Sequence, residues 1–273
     1  MNTQGDGAEK QATRAPRGAG AFSRKPATSL RILNERIVAC RHCPRLVAHR
    51  EAVARTKRRA FRQETYWGRP LAGFGDPHAP LLIIGLAPAA HGGNRTGRMF
   101  TGDRSGDFLY ARLYEAGFAN QPASRHRGDG LKLRGAYITA TARCAPPDNH
   151  PTPDEIANCR PFLEAEVELL RPRAVLALGK IAFDGYLKLL RARGTLDRGA
   201  HFIFRHGASY SITAQGGRQS VRLFAAYHPS QQNTQTGRVT PAMYRRLLGE
   251  IRRFLKEQMP VSRENAETRA RRT

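Results

Sequence analysis

The residues best able to do chemistry fall in three loops. The first is GLAPAAHGGNRTGRMFTGD, residues 85–103. It holds no GxxxxGK[ST] phosphate loop and no GxGxxG dinucleotide fingerprint. Its glycines at 85, 92, 93 and 97 allow backbone N–H groups to approach a ligand closely. Phe100 is an aromatic in an otherwise polar loop, able to stack on a planar ring or to anchor the loop to the core. Asp103 offers a carboxylate for charge stabilisation or acid–base work, and serves equally well as the cap of a helix from about Ser105. The second loop is YHPSQQN, where His228 follows an apolar run and is stiffened by Pro229. A histidine so placed can donate a hydrogen bond to a developing negative charge. The third is ARCAPPDN, residues 142–149.

The four cysteines are a separate constellation. Cys40 and Cys43 form a CxxC pair, and Cys144 and Cys159 are the only others. Four thiolates suit either tetrahedral zinc or a four-iron cluster. Zinc ribbons use two closely spaced pairs, whereas Cys144 and Cys159 are scattered, which favours a cluster. The chain lacks an apolar signal core and any run near the ~20 apolar residues of a membrane span. A cytoplasmic, reducing location follows, and disulfides are not expected.

Charge points to the partner. Lys and Arg number 46 against 22 Asp and Glu, a net charge of +24 in 273 residues. An excess of this size predicts a polyanionic partner, with nucleic acid the default. Arg55, Lys57, Arg58, Arg59, Arg62 and Arg69, interleaved with Phe61, Tyr66 and Trp67, fit a nucleic-acid surface. Tyr66 and Trp67 fit equally well beneath the loop.

The elements that must position these groups alternate. Residues 1–27 read as a disordered basic arm, 28–258 as one folded domain and 259–273 as a charged tail. SLRILNERIVAC reads as an amphipathic helix with Ser29 as N-cap, and CPRLVAHREAVAR as a second. PLLIIGL, AYITATA, AVLALG and SVRLFAAYHPS read as four strands of a buried sheet. Helices over GDFLYARLYEAGF, TPDEIANCRPFLEAEVELLRP, KIAFDGYLKLL and PAMYRRLLGEIRRFLKEQ follow them. Thr152, Pro153 and Glu155 spell a capping box. This alternation predicts an α/β fold whose parallel sheet is covered on both faces. Ligands bind such sheets at the strands' carboxyl ends, where all three loops belong.

Together, the motifs ACRHCPRLVAHRE, GFGDPHAPLLIIGLAPAAHGGNRTGRMFTGDRSGDFLY, YITATARCAPPDNHPTP and YHPSQQNTQTGRVT resemble the uracil-DNA glycosylase superfamily, in its iron–sulfur family 5. The sister family 4 typically carries an acid where this chain has Leu86, and an Asn where it has Ala140. The resemblance implies a three-layer α/β/α sandwich around a central, mainly parallel four-stranded sheet. It implies a structural [4Fe–4S] cluster on Cys40, Cys43, Cys144 and Cys159. It makes Asp103 the catalytic carboxylate, Asn149 a second polar group and Phe100 the platform for a flipped base. His228 would face the base's carbonyl oxygen, and Gly85, Leu86, Ala87 and Ala140 would bound the substrate. Ser230, Gln231 and Asn233 would press into the DNA where the base was.

The activity so implied is monofunctional release of uracil from double-stranded DNA by a monomeric, nucleoid-associated repair enzyme. Without the acid and amide of relatives, hypoxanthine, xanthine and other damaged bases become expected substrates as well. The motif loops at 85–103, 144–152 and 228–238 contain no lysine, which argues against a Schiff-base lyase. Two alternatives are a family 4-like, uracil-only enzyme and a cluster-bearing DNA-binding protein without catalysis.

Overall fold

The structure is a computed structural model describing residues 26–197, 199–213 and 220–258. The expected basic arm, apart from its last two residues, and the charged tail lie outside the described residues. One six-stranded sheet is built from β1 (Phe74–Gly75), β2 (Leu81–Gly85), β3 (Ala136–Ala140), β4 (Ala174–Leu178), β5 (Ser209–Thr213) and β6 (Ser220–Ala226). Their spatial order is β1-β3-β2-β4-β6-β5. The helices are α1 (Pro26–Ala39), α2 (Pro44–Thr56), α3 (Gly93–Thr96), α4 (Arg104–Glu115), α5 (Pro153–Leu170), α6 (Lys180–Ala192), α7 (Gln231–Gln235) and α8 (Pro241–Glu257).

The four expected strands are the parallel centre of the sheet. Every residue of β2, β3 and β4 is buried, as strands covered on both faces must be. Alternate side chains feed two cores. Ile83, Ile138, Leu176 and Phe224 meet Leu109 and Leu113 of α4 and Leu247 and Ile251 of α8. Ile84, Val175 and Leu223 meet Leu33 of α1, Leu163 of α5 and Phe183 of α6. Three layers follow from that period of two.

The sheet is wider than expected. β1 and β5 add antiparallel edges beside β3 and β6. β1 has only two residues, too few to show a pattern, and β5 reads SYSIT, a half-polar run typical of an edge. The first helix also opens earlier than expected. It begins at Pro26, a residue suited to a first turn, so Ser29 is fully buried inside the helix and does not cap it. The capping box of α5 is present: Glu155 N–H donates to Thr152 Oγ1 at 3.2 Å, and Thr152 N–H donates to the Glu155 carboxylate at 2.8 Å. Among the described residues, no helix is long and apolar enough to cross a membrane.

Because the central strands run one way, Gly85, Ala140, Leu178 and Ala226 end at the same edge. The loops that follow β2, β3 and β6 gather there.

Candidate active site

The glycine loop is held rigid by two buried arginines. Arg95 Nε donates to the carbonyl of His91 at 2.8 Å, and its Nη2 donates to the carbonyl of Gly102 at 2.9 Å. One side chain thus ties the middle of the loop to its end, while pairing with Glu64 and lying 3.9 Å from the Phe61 ring centroid. Arg98 grips Asp129 through both carboxylate oxygens, at 2.9 and 2.6 Å, and donates to Thr101 Oγ1 at 3.1 Å. At the start of the loop, Thr141 Oγ1 donates to the carbonyl of Leu86 at 2.7 Å. Sequence reasoning missed both arginines; their spacing carries no motif, and only the fold shows what they span.

Asp103 fills both roles its position allows. Its Oδ1 accepts the N–H of Gly106 at 3.0 Å, capping α4. Its Oδ2 faces Gly92, where an added β-carbon would stand 2.1 Å away. Burial pushes the carboxyl above its ordinary range, against the opposing pull of the Gly106 and Ser105 amides and the Arg95 charge.

Phe100 adopts φ +51°, a left-handed conformation that L residues rarely take. Two glycines accept it. A β-carbon at Gly106 would lie 1.9 Å from the Phe100 carbonyl oxygen, and one at Gly85 would lie 2.9 Å from its ring. Strain of this kind concentrates at functional sites. The ring centroid lies 5.8 Å from that of His228, a single contact distance, so no base fits between the two rings.

His228 is fixed by the turn that follows it. Ser230 Oγ caps α7 by accepting the N–H of Asn233, and Asn233 Nδ2 donates to the carbonyl of His228 at 2.8 Å. Burial lowers the imidazole pKa to about 4, so the ring is neutral at pH 7.

These groups enclose one cavity of about 370 Å³. Leu86, Ala87, Phe100, Asp103, Ala140, Asn149, His228, Ser230 and Gln231, all candidates named from the sequence, line it. Gly85 and Asn233 do not line it; Gly85 lies under the Phe100 ring and Asn233 braces His228. Arg104 and Ser105, at the first turn of α4, also line it and were not anticipated. Asn149 is exposed, with φ +58°.

Comparison with known proteins matches residues 72–252 to the uracil DNA glycosylase superfamily. The chain belongs to this superfamily, in its type-5 branch. It is 53% identical over 219 residues to the type-5 uracil-DNA glycosylase of Thermus thermophilus, covering 80% of this chain and 94% of that one. It is 51% identical over 224 residues to the type-5 enzyme of Mycobacterium tuberculosis, covering 81% and 80%. The type-5 enzyme of Pyrobaculum aerophilum is 46% identical over 205 residues, covering 75% and 84%.

This member of the superfamily brings its four cysteines to the wall of one small cavity, together with Arg50 and Arg143. Among the described residues, no three His, Cys, Asp or Glu side chains form the shell of a metal ion. Arg50 is buried and donates to Cys144 Sγ at 2.8 Å. Arg143 pairs with the buried Glu166 at 2.6 Å. The Nε of each arginine is buried without a partner among the described residues. Burial raises the thiols of Cys43 and Cys159 and pushes that of Cys144 up to about 12.

The basic and aromatic segment divides. Phe61 packs under Arg95, and the buried Tyr66 hydroxyl lies 3.1 Å from His91 Nδ1. Trp67 is half-buried beside Gly97.

Proposed function

We propose that the protein hydrolyses the N-glycosidic bond of uracil in double-stranded DNA, and that it also accepts hypoxanthine, xanthine and other damaged bases. The observation that carries this reading is the single cavity on which the Asp103 carboxylate, the neutral His228 imidazole and the Phe100 ring converge. The type-5 relatives bear the name of the reaction. A chain with a net charge of +24 suits the phosphate backbone.

The target bond is hidden in a duplex, so the nucleotide swings out, at a cost of a few kcal/mol that is least for mispaired bases. The extruded base lies on Phe100. As the bond from C1′ to the base nitrogen breaks, its electron pair leaves with the base and positive charge grows on the sugar. His228, neutral at pH 7, donates an N–H to the base oxygen where negative charge collects. Asp103 presents its carboxylate to the sugar cation and accepts a proton from the attacking water, whose oxygen bonds to C1′. The products are the free base and an abasic sugar. Among the described residues, no lysine lines the cavity, which favours hydrolysis over Schiff-base chemistry.

Two lining residues support the broad range. Leu86 and Ala140 offer neither acid nor amide to the base. Recognition then rests on stacking and on one oxygen, features shared by several bases.

The cysteine cavity suits a [4Fe–4S] cluster on Cys40, Cys43, Cys144 and Cys159. Four sulfur donors on one cavity, beside two buried arginines with unpartnered Nε–H groups, fit an anionic thiolate centre. Such a group, when bound, ties together α2, the 144–149 loop and α5, and takes no part in the reaction.

The test is a labelled duplex with one uracil opposite guanine and a parallel duplex with hypoxanthine opposite thymine. Strand breakage in both, only after alkali, is the expected result. Absence of base release from folded protein that still retains DNA would leave a binding protein.

A further inference from the structure

We propose that the groove between α1 and the edge strand β1 is a second DNA contact, where the phosphates of a strand outside the lesion are held by Arg69 and Arg127 over Trp67. The proposal rests on the reading that this chain works on DNA, and adds a site to it. The groove has a volume of about 780 Å³, and Trp67, Phe74 and Tyr137 give it an aromatic floor.

Its cations are of two kinds. Arg31 and Arg98 are neutralised by Glu35 and Asp129. Arg69 and Arg127 are exposed, and neither has a carboxylate partner among the described residues. Both guanidiniums are gathered over the indole, Arg127 at 4.3 Å and Arg69 at 5.7 Å from the ring centroid. Cation–π attraction of this sort holds the charges forward without quenching them.

The platform itself is fixed in advance. Trp67 Nε1–H donates to the carbonyl of Pro70 at 3.1 Å, and Trp67 N–H donates to the carbonyl of Arg95 at 2.9 Å. Gly97 permits the close approach, since a β-carbon there would stand 3.0 Å from the indole. Unneutralised guanidiniums braced over an aromatic ring suit the phosphates of a nucleic-acid strand, which carry no sequence information. Residues 95 and 97 belong to the loop that walls the catalytic cavity. The two sites therefore share one loop, and a strand held over Trp67 is tied to Asp103 by the segment between residues 97 and 103.

Trp67 is the only tryptophan in the chain, so the protein's tryptophan emission comes from this groove. Wild-type protein is titrated with an undamaged oligonucleotide, single-stranded and duplex, while anisotropy of the labelled DNA follows binding. We expect saturable quenching in step with binding. Arg69→Ala and Arg127→Ala should each weaken binding roughly fivefold and lower the salt slope by about one. Binding with unchanged emission would overturn the proposal, as would quenching that neither substitution affects. Equal quenching by free uracil would show that the signal comes through the loop from the cavity, and would also overturn it. So would equal quenching by a poly-glutamate peptide, which would make the groove a protein-binding surface. Base release is measured on the same preparation. Quenching without release would support the groove contact and remove only the glycosylase reading.

Discussion

The Oδ2 oxygen of Asp103 lies 2.1 Å from the place a β-carbon on residue 92 would occupy, so the carboxylate keeps its position because residue 92 is glycine. The glycines of the loop make room first for the protein's own reactive groups. Gly92 accommodates Asp103, and Gly85 and Gly106 accommodate Phe100.

Gly92→Ala should therefore behave as an active-site variant although it removes no functional group. The carboxylate must move by an ångström or more, and a displacement of that size costs about 10²-fold in rate. Single-turnover base release should fall by that factor while the circular dichroism spectrum is retained. An unchanged rate would mean that the carboxylate has other room.

The pH dependence follows from the two shifted groups. Asp103 works as a carboxylate, and burial raises its pKa, so the acid limb of the rate profile should lie above the ordinary Asp value of 3.8. The same shift has a stability consequence. The folded state holds the Asp103 proton more tightly than the unfolded chain does, so stability falls as pH rises through that range. At neutral pH the ionised group opposes folding. Asp103→Asn, which keeps an oxygen to cap Gly106, should raise Tm by a few degrees. His228 has the opposite linkage. Its folded pKa of about 4 lies below the ordinary 6.5, so its contribution to stability is lost as pH falls through that interval. Thermal melts of wild type and Asp103→Asn from pH 4 to 8 check both signs.

His228→Ala should lower base release by about 10²–10³-fold, the usual loss for one oxyanion donor. The loss should be greatest for uracil opposite adenine, where extrusion is least favoured. Single-turnover rates on the two pairings decide this, and equal losses would reduce His228 to a support for its loop.

Cys159→Ala should strip iron and lower Tm while uracil release by the surviving folded fraction stays near normal. Iron content, visible absorbance and a melting curve provide the readouts. Wild-type protein that is colourless and iron-free but equally stable would exclude the cluster.

Much of this was legible in the sequence. β2 and β4 are unbroken aliphatic runs ended by Gly, β3 and β6 are mainly apolar, and such runs have few alternatives. Asp103, Phe100 and His228 stood out because their residue types sit in loops that follow those runs. The edges were not legible, since β1 is too short and β5 too polar to show a period. Nor was the span of Arg95 between His91 and Gly102, because a strut is defined by distances and not by spacing. Tyr66 and Trp67, adjacent in one basic segment, were indistinguishable until the fold buried the first and left the second half-open beneath two guanidiniums.

The most direct test of the central claim compares wild type with Asp103→Asn on one duplex carrying uracil opposite guanine, under single-turnover conditions, with binding measured in parallel. Base release slower by several orders of magnitude with DNA affinity nearly unchanged is the expected result. Release within a few-fold of wild type would contradict the assignment of Asp103 as the carboxylate that supports bond cleavage.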